Sequence, residues 1–278
     1  MLPLTITQAL HWAQDQGLDR LDAQLLLLHV LNRSENDRAW LLIHDTDTLT
    51  SLQWEMLQAN TIRRAAGEPL AYIRGYKEFF GLHLCVDARV LDPRPDTETL
   101  VEWVLEVTST KDHIRVIDLG TGSGAIALAL KHTRPQWDVT AVDVSADALA
   151  VARSNAQRLG LVLHGVQSSW LESVTGRFDV IVSNPPYIAE HDSHLPALRH
   201  EPHLALTSGV DGLDAIRVLI AQAPQHLNEG SWLLIEHGYD QADAVCDLLK
   251  TGGFSAVQSR HDLAGIARCS GGCYRPIR

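Results

Sequence analysis

Lysine is nearly missing from this chain of 278 residues, occurring only at Lys77, Lys111, Lys131 and Lys250. Lys and Arg together number 23 against 34 Asp and Glu, for a formal net charge of -11. Broad, sequence-independent nucleic-acid binding relies on basic patches that neutralise phosphates, and this balance argues against it. Cysteine is scarce as well. Four in a chain of this length do not make a disulfide framework, and a reduced, cytoplasmic protein is the expectation. Cys269 and Cys273 lack a second Cys/His pair at zinc-finger spacing, so no metal site is expected. Long apolar runs are missing too. Leu25 to Leu28 is far too short to span a bilayer, and Met1 to Leu4 carries neither the basic region nor the apolar core of a signal peptide. Internal repeats, low-complexity segments and a Ser/His/Asp arrangement do not stand out either.

What is present is an ordinary globular composition, 45% apolar, at a length that suits one large or two medium domains. From Thr5 to Arg64 apolar residues such as Leu10, Ala13, Leu21, Leu25 and Leu28 recur at helical spacing, and Asp22 and Ser34 read as caps. The prediction is four or five short helices in a small bundle, with Trp12, Trp40 and Trp54 in its core or surface grooves. Gly67-Glu68-Pro69 ends this region. Apolar and aromatic residues on both sides of Gly81 then predict a β-hairpin, and the prolines of Pro93-Arg94-Pro95 lead into an amphipathic helix through Leu105.

From Ile114 strand and helix alternate. Strands are expected at Val116–Leu119, Val139–Asp143, Leu161–Val166, Phe178–Val182 and Trp232–Glu236. Helices are expected at Ala125–Lys131, Ala146–Leu159, Gly212–Leu227 and Gln241–Lys250. That rhythm predicts an α/β fold with a mostly parallel sheet covered on both faces, whose ligands bind outside the carboxyl ends of the strands. The domain reading is a helical bundle over 1–73, a hairpin linker over 74–92 and a sheet domain over 93–278. The stretch from Ile188 to Asp211, rich in His, Pro and acids, reads as a loop that covers a substrate. His191 and His194 within it read as ordinary loop histidines, and Glu201-Pro202 as residues that shape the loop.

Two motifs carry chemistry. Asp118-Leu119-Gly120-Thr121-Gly122-Ser123-Gly124 falls at a strand-to-helix turn, where glycines let a ligand approach the backbone and the helix start supplies free N–H groups. About twenty residues on, Asp143 ends the next strand, where a carboxylate accepts the hydroxyls of a ribose. The pair indicates a bound nucleoside without distinguishing NAD from S-adenosylmethionine. The second motif, Asn184-Pro185-Pro186-Tyr187, follows the fourth strand. Two prolines remove two backbone donors and hold the chain extended, so the tip offers carbonyl acceptors, the Asn184 amide and a flat aromatic ring. A planar NH2 group fits such a cluster.

The combination resembles the class I, Rossmann-like, S-adenosylmethionine-dependent methyltransferases that act on planar NH2 groups. Glu68-Pro69-Leu70-Ala71-Tyr72-Ile73-Arg74-Gly75, Phe79-Phe80-Gly81, Pro93-Arg94-Pro95-Asp96-Thr97-Glu98 and Ile235-Glu236-His237-Gly238 narrow the likeness to the HemK/PrmC family of release factor glutamine methyltransferases, over essentially the whole chain. The resemblance implies methylation of the side-chain amide of the glutamine in the Gly-Gly-Gln loop of class 1 peptide chain release factors. It implies that Gly120, Thr121, Gly122, Ser123 and Gly124 hold the methionine part of the cofactor and Asp143 its ribose, with Ser169 and Trp170 flanking the adenine. Asn184, Pro185, Pro186 and Tyr187 would hold the glutamine, with Asn184, Pro185 and Tyr187 the catalytic set. Many relatives carry Asp where this chain has Ser169, a contact that here loses its charge, and Asp96 stands where relatives often have Glu. By the same resemblance residues 1–73 dock the release factor, and a monomer without direct nucleic-acid or membrane binding is expected. The alternative is an adenine amino methyltransferase of nucleic acid, which uses the same tip.

Overall fold

The computed structural model describes residues 4–275, so the first three residues, on which the signal-peptide reading partly rests, lie outside the described part. The chain divides into two compact units, Met1–Tyr76 and Lys77–Arg278.

The first unit holds five helices, α1 (Ile6–Asp15), α2 (Arg20–Val30), α3 (Arg38–Ile43), α4 (Ser51–Ala65) and α5 (Leu70–Arg74). Helices this short need caps and packing to persist in water. Thr5 with Gln8 and Thr50 with Gln53 form capping boxes at the starts of α1 and α4. At α2 the cap is Asp19, whose carboxylate accepts the Asp22 N–H at 2.8 Å. The expectation that Asp22 caps is thereby corrected. Asp22 lies in the first turn and pairs with Arg64 of α4 at 2.5 Å. Ser34 caps no helix; its hydroxyl accepts the Asn36 N–H in the turn ahead of α3. Ile6, Leu26, Leu27, Leu41 and Leu57 fill the core, and Trp12 meets Trp54 edge to face, ring centres 4.8 Å apart.

A hairpin of β1 (Tyr76–Phe79) and β2 (Leu82–Cys85) follows. Its two turn residues, Phe80 and Gly81, have φ of 50° and 76°, as a tight hairpin with right-handed strand twist requires. Phe79, Leu82 and Leu84 are buried against Leu100 and Trp103 of α6 (Glu98–Val107), so the hairpin packs within the second unit.

The second unit is built on a seven-stranded sheet. In chain order come β3 (Arg115–Leu119), α7 (Ala125–Thr133), β4 (Asp138–Asp143), α8 (Ala146–Leu159), β5 (His164–Gln167), β6 (Phe178–Ser183), α9 (Asp214–His226), β7 (Leu227–Glu236), α10 (Ala242–Thr251), β8 (Phe254–His261) and β9 (Ala267–Tyr274). The spatial order is β5-β4-β3-β6-β7-β9-β8, parallel from β5 to β7 and antiparallel through β9 and β8. Alternate strand residues feed two apolar layers. Val116, Val180 and Leu234 join α6 and α7 on one face; Ile117, Ile181 and Leu233 join α9 and α10 on the other.

The last two strands were not expected from the sequence. In β9 a Cβ at Gly271 would lie 2.5 Å from Leu234 Cδ2 and 3.0 Å from the Trp103 ring. Glycine stands there because another layer approaches the strand closely. β5 begins at His164, three residues later than expected, because Gly160 ends α8 in a left-handed conformation and the Leu161 N–H returns to the Ala156 carbonyl.

Candidate active site

β3 has β4 on one side and β6 on the other, with Leu119 in register with both Val142 and Ser183. A parallel sheet splits at such a point, and the strand ends there open a crevice. The cavity in this crevice measures about 480 Å³.

One wall is the glycine turn. Gly120, Gly122 and Gly124 have φ of 74°, 54° and 85°, a conformation in which side chains are strained. Gly120 to Ser123 line the cavity. Gly124 does not. It starts α7, and a Cβ there would lie 3.0 Å from Leu128 Cδ1 and 3.2 Å from Ala152 Cβ, so its part is to bring α7 close to α8. Under the turn Asp118 is fully buried and accepts the Thr121 hydroxyl at 2.7 Å and the Ala127 N–H at 3.3 Å. Burial outweighs both bonds and pushes its carboxyl up to about 7. Its Oδ1 has no protein partner.

Asp143 lines the cavity at the end of β4 and is tied by the Gly122 N–H to Oδ2 and the Ser145 N–H to Oδ1, each at 2.9 Å. Burial raises its carboxyl and these N–H groups oppose the rise. Ser169 and Trp170 also line the cavity. Trp170 has φ 50°, rare for a bulky side chain, and its ring comes within 3.6 Å of a Cβ built on Gly120. Ser168, which the motifs do not single out, lines the cavity beside them and ties its N–H to the Asp143 carbonyl at 3.1 Å.

The other wall is the tip. The buried Ser183 hydroxyl donates to the Leu119 carbonyl at 2.7 Å, fastening β6 to β3 just before the tip begins. Asn184 and Pro186 line the cavity; Pro185 is buried and Tyr187 stands behind them, neither of them lining it. The Asn184 Nδ2 group donates to the Thr97 hydroxyl at 3.2 Å, while Asn184 Oδ1 is buried with no partner. Native structures rarely leave such an acceptor unpaired, which marks it as ready for a donor from outside the chain. Tyr187 directs its hydroxyl to Glu236 Oε1 at 3.4 Å, and its carbonyl accepts from Gln241 at 3.0 Å. Burial first, then the Glu236 charge, raise the phenol, with Arg268 and Arg94 opposing.

Glu236, at the end of β7, is 1% exposed, and burial pushes its carboxyl up to about 7 against the pull of Thr97 and Arg268. The segment from Ile188 to Asp211 folds back on itself through an Ile188–Thr207 bridge, and Pro202, Leu204, Ala205 and Thr207 line the cavity. Glu201 anchors it, accepting from Arg94 at 2.5 Å and from the Asp92 N–H at 3.2 Å. His194 pairs with its neighbour Asp192 at 2.7 Å, on the surface. Among the described residues no three His, Cys, Asp or Glu side chains gather as metal ligands, and no helix is long and apolar enough to cross a membrane.

Thr97 and Glu236 belong to quoted motifs, but no role could be read for them. Their partners lie 87 and 49 residues away in the chain.

Known proteins match this chain along most of its length. The PrmC N-terminal domain family matches residues 6–75 and the Methyltransferase small domain family residues 95–201. The release factor glutamine methyltransferase of Bordetella pertussis is 50% identical over 93% of this chain and 96% of its own. The protein of the same name from Xylella fastidiosa strain Temecula1 is 48% identical over 95% of this chain and 98% of its own. Among solved structures, the 16S rRNA N2 G1207 methyltransferase of Thermus thermophilus, in complex with AdoMet and guanosine, aligns with a TM-score of 0.54 at 19% identity. The alignment covers 72% of this chain and 50% of that one. That likeness is one of fold.

Proposed function

Since the chain belongs to the release factor glutamine methyltransferase family, we propose that its Asn184-Pro185-Pro186-Tyr187 tip holds the side-chain amide of the glutamine in the Gly-Gly-Gln loop of a class 1 release factor. The enzyme methylates release factor glutamine and uses S-adenosylmethionine. The observation that carries the assignment of the tip is the buried, unpartnered Asn184 Oδ1.

An amide nitrogen is a poor nucleophile because its lone pair is delocalised into the carbonyl. Asn184 Oδ1 accepts one N–H of the substrate amide; the family resemblance gives the other to the Pro185 carbonyl, which reaches it only if the tip shifts, since Pro185 does not line the cavity. Pro185 is buried, and its part is confined to that backbone oxygen. Fixed acceptors in a closed site favour the geometry in which the lone pair faces the cavity, and they need no reorganisation as the bond to nitrogen forms. Tyr187 supports the tip from behind through its bond to Glu236.

The opposite wall fits the cofactor. Gly120 to Ser123 present a backbone without bulky side chains, Asp143 retains lone pairs for ribose hydroxyls beyond its two N–H bonds, and Trp170 offers a flat ring beside Ser169 for the adenine. When bound, S-adenosylmethionine supplies a methyl group activated by its sulfonium.

The helical residues 1–73 are assigned to docking the release factor, residues 74–92 to a linker and 93–278 to the transfer reaction. Exposed Leu42 and Ile43 on α3, 65% and 77% accessible, support the docking role because no bundle core claims them. We read the protein as cytoplasmic, in keeping with its four free cysteines, and as a monomer. Methyl transfer from labelled cofactor to a release factor, its Gln-substituted variant and DNA tests the substrate. Label is expected on the unaltered release factor alone, and label on DNA would favour the adenine alternative. In the same assay Leu42→Ser raises KM for the intact factor and leaves a short Gly-Gly-Gln peptide unaffected; an equal change for both sinks the docking role.

A further inference from the structure

Gln241 belongs to none of the motifs and does not line the cavity, yet its side chain joins the pieces that face the substrate. It stands just before α10, where its Oε1 accepts the Gly238 N–H at 2.8 Å. That bond decides which way the amide points, because a flipped group would set NH2 against N–H. The NH2 group therefore faces two carbonyls. Nε2 is 3.0 Å from the Tyr187 oxygen and 3.3 Å from the Asp211 oxygen, one for each proton.

These two carbonyls are the ends of one loop. Tyr187 closes the tip, Asp211 closes the covering segment that follows it, and a single amide spans both. Glycine is required on either side of the joint. A Cβ at Gly212, whose φ is 76°, would collide with the Tyr187 carbonyl oxygen and lie 2.8 Å from Gln241 Nε2. A Cβ at Gly238 would lie 3.1 Å from Gln241 Oε1, so the last residue of the Ile235-Glu236-His237-Gly238 motif makes room for this amide. Beyond the joint the segment pairs back onto the residue that follows the tip. The Ile188 N–H donates to the Leu206 carbonyl and the Ser208 N–H to the Ile188 carbonyl, each at 2.9 Å, and Ala205, Thr207 and Ser208 line the cavity.

The tip needs such a fastening. Pro185 and Pro186 have no N–H with which to hold a neighbouring segment, so its far end is secured through an acceptor, the Tyr187 carbonyl. We propose that Gln241 is a positioning residue of the methyl transfer: its NH2 group ties the end of the tip to the end of the covering segment, so that Asn184 and the wall across the cavity keep one spacing when the glutamine amide enters. This rests on the assignment of Asn184 as the acceptor for that amide.

The test compares Gln241→Glu, Gln241→Met, Gly212→Ala, Gly230→Ala and Asn184→Ala for kcat, KM, urea midpoint and S-adenosylmethionine affinity by calorimetry. Gln241→Glu keeps the acceptor for Gly238 and turns its second oxygen on two carbonyls, and Gly212→Ala pushes the Tyr187 carbonyl directly. Each should lose about 10²-fold in kcat, for the release factor and for a short Gly-Gly-Gln peptide alike, with cofactor affinity within about twofold. Gln241→Met removes the donors without adding charge and should lose about tenfold. Gly230→Ala is the control for backbone strain, since Gly230 has φ 80° with nothing within 4 Å of an added Cβ; it should lower the urea midpoint as Gly212→Ala does and leave kcat unchanged. Because Gln241→Met and Gly212→Ala break one joint, the double variant should cost little more than the worse single one. Wild-type kcat in Gln241→Glu would overturn the proposal, and so would single losses that multiply in the double variant. A fall in kcat that Gly230→Ala reproduces at equal loss of stability would do the same, being the mark of a structural role. If Asn184→Ala itself remains active, the assignment of the tip fails first; if that variant is inactive and Gln241→Glu turns over normally, the tip stands and the joint is wrong.

Discussion

Asp118 and Glu236 are both buried carboxylates at the ends of parallel strands, and burial pushes both up to about 7. Their surroundings are assembled in opposite ways. Asp118 takes its bonds from Thr121 and Ala127, three and nine residues along the same chain segment. Glu236 is surrounded by Thr97, Tyr187 and Arg268, drawn from a helix start, the tip and an antiparallel strand. The cofactor wall is therefore a local unit of strand, turn and helix. The substrate wall exists only when the sheet has closed around it. A local unit carries binding to a common cofactor, and a wall gathered from distant segments carries the choice of substrate.

Three experiments set the two walls against each other. Asn184→Ala removes the acceptor of the substrate wall and should lower kcat by about 10³-fold while cofactor affinity stays within about twofold. Near-normal turnover in single-turnover assays would break the division. Gly120→Ala strikes the opposite wall. Its φ of 74° costs an alanine about 1–2 kcal/mol, so cofactor affinity should weaken about tenfold with kcat at saturating cofactor little changed. A fall in kcat at unchanged affinity would show that the turn serves the chemistry instead.

The smallest effect concerns pH. An acid whose pKa rises on folding keeps its proton in the native state where the unfolded chain, with ordinary values of 3.8 for Asp and 4.5 for Glu, has lost it. The stability it contributes is full below about 4 and is lost as pH climbs through about 7. Urea midpoints should thus decline from about pH 5 to about pH 7.5, less steeply in Asp118→Asn and in Glu236→Gln. An unchanged slope in either variant would exclude that residue as a source of the decline.

Legibility in the sequence follows the same contrast. The glycine turn, Asp143 and the Asn-Pro-Pro-Tyr tip could be read because each is a short run whose residue types carry their own geometry. The alternation of strand and helix gave the parallel part of the sheet for the same reason. Thr97 could not be read, since a threonine ahead of a helix has an ordinary explanation as a cap, and only the fold shows that it caps nothing. β9 was hidden because Ser270-Gly271-Gly272 suits a loop until Trp103 and Leu234 are seen to lie against it. Asp22 has the residue type of a cap, but Asp19, three residues earlier, is an equally good one and wins by its place.

Asn155, on α8 and 1% exposed, accepts the Cys85 N–H at 2.7 Å and donates to the Cys85 carbonyl at 3.0 Å and to the Ser123 carbonyl at 2.9 Å. It is a rivet through three pieces: the hairpin, the glycine turn and the helix between them. The hairpin's end thus cannot lift away from α8 without also loosening the turn that faces the cofactor. Tension applied at the hairpin would be read as a change in cofactor hold.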